Sequence, residues 1–200
     1  MPEKPEHLDY DLITQIVEPD CHVLDLGCGD GELLSRLVAE KNARVQGIEF
    51  DGDAIQQCVE KGLAVFHGDV DSGLPDWPDG TFDYVILNQS LQQVKRVEFV
   101  IQEALRVGRK VIVGFPNFAN WEARFMLCVR GQAPFTPALP YEWFSTPNIR
   151  FLSLKDFKRY CQKRNIRLLR MYGLGRRSVI RFFPNVFAVN ALAVVTRAER

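Results

Sequence analysis

The chain has 200 residues, 46% of them hydrophobic and 25% charged. That is ordinary globular composition, enough to bury one core without disulfide or metal staples, and it makes a folded rather than a disordered chain the default expectation. No apolar run approaches the ~18 residues of a membrane span, and the polar start, residues 1–6, lacks the apolar stretch of a signal peptide. The 25 basic and 25 acidic residues balance only overall. Residues 1–118 hold 10 Lys and Arg against 21 Asp and Glu, whereas residues 150–200 hold 13 against 2. A basic final quarter has two readings: a site for nucleic acid or another acidic partner, or charged faces lying against the acidic part of the same fold. The five cysteines (21, 28, 58, 128 and 161) are scattered, with no Cys-x-x-Cys pair. They fit neither a disulfide framework nor a zinc site and suit a reducing cytoplasm.

Apolar strands and helical patterns then alternate along the chain. Leu8 to Val17 has helical spacing and stops before Pro19. His22 to Leu26 is strand-like and opens into glycines. Gly31 to Glu40 places Leu33, Leu34, Leu37 and Val38 on one helix face. Strands are expected at Arg44–Glu49, Leu63–His67, Phe82–Leu87 and Lys110–Phe115, with helices at Gly52–Lys61 and Val94–Arg106. Residues 116–150 break the pattern with five prolines and many aromatics, among them Trp121, Phe125, Phe135, Tyr141, Trp143 and Phe144. So long a loop inside a compact domain is usually functional. Ser153 starts a capped helix to about Arg164, and Ile166–Tyr172 and Val186–Val195 read as closing strands. The pattern predicts an α/β fold with a doubly wound, mostly parallel seven-stranded sheet and an antiparallel edge strand. It is expected as a single domain over 1–200, with a nucleotide-binding core at 22–115, an aromatic and proline-rich insertion at 116–150, and a closing helix and strand pair at 151–200.

Three strand ends hold the chemistry. In Asp25-Leu26-Gly27-Cys28-Gly29-Asp30-Gly31 a strand runs through glycines straight into a helix. Gly27 and Gly29 let the backbone turn tightly and approach a ligand where a Cβ would collide. A side chain at Gly27 is therefore expected to bar the ligand and leave the fold intact. Asp25 would repel a phosphate but can hold an ammonium, so the ligand expected has an amino-acid end rather than a diphosphate. Glu49, in Gly47-Ile48-Glu49-Phe50-Asp51, closes the second strand where a carboxylate can accept both ribose hydroxyls. Asp69, in Gly68-Asp69-Val70, can accept an adenine amino group, or can simply form a turn.

With Phe82–Leu87 as fourth strand, these elements resemble the class I S-adenosylmethionine-dependent methyltransferases over residues 22–115. The resemblance implies a Rossmann-like fold and a site for S-adenosyl-L-methionine or S-adenosyl-L-homocysteine. It assigns Asp25, Gly27 and Gly29 to the methionine end, Glu49 to the ribose and Asp69 to the adenine, with Cys28, Phe50 and Val70 beside them as further cofactor-binding residues. Asn88 and Gln89 would face the methionine carboxylate or the sulfonium. The stretches 27–34, 88–94, 105–109, 115–121 and 139–149 extend the likeness over nearly the whole chain: it is similar to the MetW family of methionine biosynthesis proteins. That similarity implies a protein partner, a homoserine O-acyltransferase whose activity needs or is regulated by this chain. The residues themselves predict no nucleic-acid, membrane or metal partner: the basic residues are spread over a helix and two strands, no apolar run is long enough to span a membrane, and no His, Cys and Asp cluster has metal-ligand spacing.

Whether the chain is an enzyme stays open at this stage. Many methyltransferases need a base near the sulfonium, and His7, His22 and His67 are expected away from the tips of the fourth and fifth strands. Asn88-Gln89-Ser90-Leu91 lacks the two prolines of the motif of DNA amino-methyltransferases. No Gly-x-Ser-x-Gly occurs, so the chain is not a serine acyltransferase of the hydrolase fold. A soft acceptor such as a thiolate would still need little deprotonation, which keeps an active methyltransferase as the alternative.

Overall fold

The computed structural model describes residues 7–198; the polar start read above, residues 1–6, lies outside the described residues. Helix α1 spans Leu8–Ile16, and the alternation that follows is β1 His22–Leu26, α2 Glu32–Lys41, β2 Arg44–Glu49, α3 Gly52–Glu60 and β3 Ala64–His67. Next come β4 Phe82–Asn88, α4 Val97–Val107 and β5 Gly108–Pro116. The remaining elements are α5 Trp121–Phe125, α6 Leu154–Lys163, β6 Ile166–Leu174, β7 Val179–Ile180, α7 Pro184–Phe187 and β8 Asn190–Arg197. One eight-stranded sheet results, in the order β3-β2-β1-β4-β5-β8-β6-β7. Strands β1 to β5 pair in parallel. Strand β8 inserts between β5 and β6, antiparallel to both, and β7 forms an antiparallel edge on β6.

Period-two alternation decides which helix each strand residue meets. Leu24, Leu26, Val85, Leu87, Val111 and Val113 share one core with Ile101 and Leu105 of α4 and Phe157 of α6. Val23, Tyr84, Ile86 and Ile112 point the other way, onto Ile13 of α1 and Leu33 and Leu37 of α2. The sheet is thus covered on both faces, which is why β1, β4 and β5 read as nearly continuous apolar runs. Helix α6 starts where its sequence predicts, at a capping box: Ser153 Oγ accepts from Asp156 N–H while Asp156 accepts from Ser153 N–H.

The fold adds an eighth strand to the seven expected, the two-residue β7, too short to leave a periodic signal. The strand expected at 186–195 starts later, at Asn190, because Pro184 opens a helical turn over Pro184–Phe187. Asn117 holds that turn by donating to the carbonyls of Asn185 and Ala188. In residues 116–150, α5 runs on into a π-helical turn, Met126–Arg130, and the rest is irregular. A tie between the basic final quarter and the acidic part is the pair Arg164–Glu98, at 2.8 Å across α6 and α4. The five cysteines are free thiols. Among the described residues, no helix is long and apolar enough to cross a membrane, and no three His, Cys, Asp or Glu are grouped to hold a metal ion.

Candidate functional site

The carboxyl ends of the parallel strands converge on one crevice, where ligands sit in open α/β sheets. Strand β1 ends in a turn whose Gly27 and Gly29 have φ of +84° and +54°, the left-handed region that disfavours other residues. Asp25 lies two residues before the turn, in register between Gly47 of β2 and Ile86 of β4. It is only 3% exposed, and its Oδ1 has no hydrogen-bond partner among the described residues. Burial, reinforced by the charge of Glu49, pushes its carboxyl up to about 7.

Glu49 closes β2 and is held by three backbone N–H groups: Gly29 at 2.9 Å, Phe50 at 2.8 Å and Asp51 at 3.0 Å. Its carboxylate therefore pins the glycine turn to the end of β2 and presents its remaining acceptor capacity to the crevice. Phe50 beside it is 70% exposed. Asp69 accepts from Asp71 N–H at 2.9 Å, so the turn reading of Gly-Asp and its place at the crevice hold together. At the end of β4, Asn88 Nδ2 donates to Asp9 of α1 at 2.8 Å, and its Oδ1 is buried without a partner. Gln89 turns the chain with φ +57°, its N–H donating to Gly114 O.

These strand ends enclose a cavity of about 450 Å³. Gly27, Gly29, Glu49, Phe50, Asp69, Val70, Asn88 and Gln89 all line it, as read from the sequence. The other two expected residues do not. Asp25 sits beneath the turn. Cys28 turns its thiol toward Cys58 and Leu34, packing against Gly47, and its N–H is taken by Ile48 O. Burial and then the charge of Asp25 hold that thiol well above its ordinary range. Gly27 also departs from expectation: a Cβ there would lie 2.9 Å from Ser90 Cβ, so a side chain would strain the fold as well as the site. A Cβ on Gly29 meets nothing within 4 Å. Ser90, which the motif reading missed, lines the cavity with a buried hydroxyl that lacks a partner.

A second cavity, of about 380 Å³, opens beyond Gln89 and Gln93, which line both. His7 and Asp9 face it, although the sequence placed His7 away from the β4 and β5 tips. The hydrogen bond from Asn88 to Asp9 spans 79 positions of chain and brings the start of α1 there. No local pattern announces such a contact.

S-adenosylmethionine fits the chemistry of the first cavity. The carboxylates of Glu49 and Asp69 and the amide-bearing Asn88 and Gln89 line it, and call for a ligand that brings hydroxyl and ammonium donors. They would repel a diphosphate. The sheet order and this acid-lined glycine crevice define a class I methyltransferase fold. Solved structures agree on the fold: an S-adenosylmethionine-dependent methyltransferase from Thermotoga maritima superposes with a TM-score of 0.67 at 16% identity, covering 96% of this chain and 88% of that one. The [4+2]-cyclase SpnF superposes at 0.66 and 14% identity, over 96% and 82%, so the fold alone does not set the reaction.

Within that class the chain belongs to the MetW family: the model for methionine biosynthesis protein MetW matches residues 7–195. A bifunctional methionine biosynthesis protein MetXA/MetW from Rhodopirellula baltica is 35% identical over 161 residues, 76% of this chain and 26% of that protein. A ribosomal protein L11 methyltransferase from Burkholderia lata is 34% identical over 106 residues, 52% of this chain and 35% of that one. The chain therefore spans only a quarter to a third of the length of these relatives.

Proposed function

We propose that this chain binds S-adenosylmethionine or S-adenosylhomocysteine in the acid-lined crevice and acts in methionine biosynthesis as an accessory subunit of a homoserine O-acyltransferase. The observation that carries the partner is the Rhodopirellula baltica relative, whose name joins MetXA and MetW in one bifunctional protein. The family likeness read from residues 88–149 makes an acyltransferase the component expected beside a MetW part. Support for the nucleotide comes from the two left-handed glycines, from Glu49 pinned at the end of β2 on the crevice, and from the orphaned carboxylate oxygen of Asp25 under the turn. A ligand derived from methionine, bound on a subunit that the acyltransferase requires, would couple the end of the pathway to its first committed step.

Two measurements test this. Calorimetry with S-adenosylmethionine and S-adenosylhomocysteine should give one site per chain; no heat with either at millimolar concentration removes the nucleotide. Co-expression with a homoserine O-acyltransferase should yield a stable complex, and the acyltransferase expressed alone should lose most of its activity. An acyltransferase that is fully active alone and does not co-purify with this chain removes the accessory role.

A second reading, an active methyltransferase on a small thiol or similar soft acceptor, is favoured by one observation: His7 and Asp9 line the cavity beside Gln89. It puts a candidate base in the cavity that shares Gln89 and Gln93 with the crevice. S-adenosylmethionine would supply an electrophilic methyl group, while His7 would hold the acceptor's proton and the cavity would exclude water. Formation of S-adenosylhomocysteine and a methylated thiol by the chain without any partner decides for this reading.

A further inference from the structure

We propose that the cavity beyond Gln89 is a second ligand site, separate from the nucleotide crevice, and that it takes a small amino acid in zwitterionic form. At about 380 Å³ it falls within the ~300–1,000 Å³ of ligand pockets, with room for a small guest. Its walls come from α1, the turn after β4, residues 137–148 and the start of the β6–β7 turn.

Two of its polar side chains are almost completely buried and unfinished. Gln92 is 4% exposed; its Nε2 donates to Gln89 O at 2.7 Å, which fixes Oε1 as an acceptor, and Oε1 meets no donor. Asn148 is 7% exposed and its Oδ1 likewise has no partner among the described residues. Buried polar atoms are normally satisfied, and two orphan acceptors in one cavity call for a guest that supplies N–H or O–H donors. The charges of the cavity add direction. Asp9, oriented by Asn88, offers a carboxylate, and Arg176, which donates to Glu122 at 2.9 Å, has guanidinium N–H groups left over. An ammonium matches Asp9, and a carboxylate matches Arg176. A zwitterion satisfies both signs, whereas an amine or an acid alone satisfies one.

The site does not depend on the nucleotide reading, and its test keeps the two apart. The full-length protein is titrated with L-homoserine and L-homocysteine, with propylamine and butyrate as half-ligands, each with and without saturating S-adenosylhomocysteine. At least one amino acid should bind with millimolar or better affinity in both conditions, and each half-ligand at least tenfold more weakly. Asn148→Leu removes an acceptor that makes no bond in the ligand-free fold. It should leave the ligand-free melting temperature unchanged or raised while weakening the amino acid about tenfold or more. Arg176→Gln, at a 63% exposed side chain, should weaken the amino acid similarly and leave propylamine unaffected. Three results overturn the proposal: no amino acid binds; half-ligands bind as well as the amino acids; or S-adenosylhomocysteine excludes them competitively. The last would make this cavity the amino-acid end of the nucleotide site.

Discussion

Replacing Asp25 by Asn should change the protein's stability by an amount that moves in the variant's favour as the pH rises. Asp25 is buried under the glycine turn, 3% exposed, with Oδ1 unpartnered. Burial and the charge of Glu49 raise its carboxyl from 3.8 to about 7. In the unfolded chain the same group ionises near 3.8, so folding is penalised wherever the unfolded carboxylate is charged. Because the folded value lies above the unfolded one, the penalty is absent below pH ~4, grows as the pH rises, and is complete above about 7. Three units at 1.36 kcal/mol each make it about 4 kcal/mol at pH 8 and roughly 2 kcal/mol at pH 5. Asn keeps the shape and never ionises. Any fixed cost of placing its amide is the same at both pH values and cancels in the comparison. Urea denaturation of both proteins between pH 5 and 8.5 should therefore show the stability of Asp25→Asn rising relative to wild type by roughly 2 kcal/mol across that range. Nucleotide binding should show the opposite side of the same group. The wild type should bind S-adenosylmethionine more tightly from pH 6 to 8, as Asp25 ionises beneath the turn and attracts the ligand's ammonium through it, and Asp25→Asn should lose that pH dependence. Stability curves that stay parallel between pH 5 and 8.5 would refute the reasoning.

The two glycines of the turn should separate stability from binding. Gly29→Ala should keep the fold at a cost of ~1–2 kcal/mol for a left-handed alanine and lose nucleotide affinity at least tenfold, whereas Gly27→Ala should melt lower still, since its Cβ presses on Ser90. Trp143 and Phe144 are 75% and 72% exposed and meet edge-to-face with centroids 5.7 Å apart. If this pair is the acyltransferase docking surface, Trp143→Ala with Phe144→Ala should weaken the complex by ~2 kcal/mol or more while the melting temperature stays put; an unchanged affinity moves the interface elsewhere. Ser153→Ala breaks the capping box of α6 and should cost ~1 kcal/mol, or ~2–4 °C in melting temperature by calorimetry.

The local grammar of the chain determined most of the nucleotide half. Strands β1 to β5 and the helices between them are legible because period-two and helical patterns, and the glycines and prolines that interrupt them, act over a few residues. The same short-range logic marked Glu49 at a strand end and Gly27 and Gly29 in a turn, and eight of the ten residues read as site residues line the crevice. Tertiary structure decided the rest. Strand β8 enters between β5 and β6 through pairings of residues some 80 positions apart, such as Ile112 with Val194, which no window of sequence contains. The side of the turn on which Cys28 lies follows from how α2 and α3 pack around Cys58, not from its place between two glycines. His7 and Asp9 reach the second cavity only because α1 folds back across the sheet to meet Asn88. Motifs are written by neighbours along the chain, but a cavity wall is written by neighbours in space, and here those neighbours come from both ends of the chain and its middle.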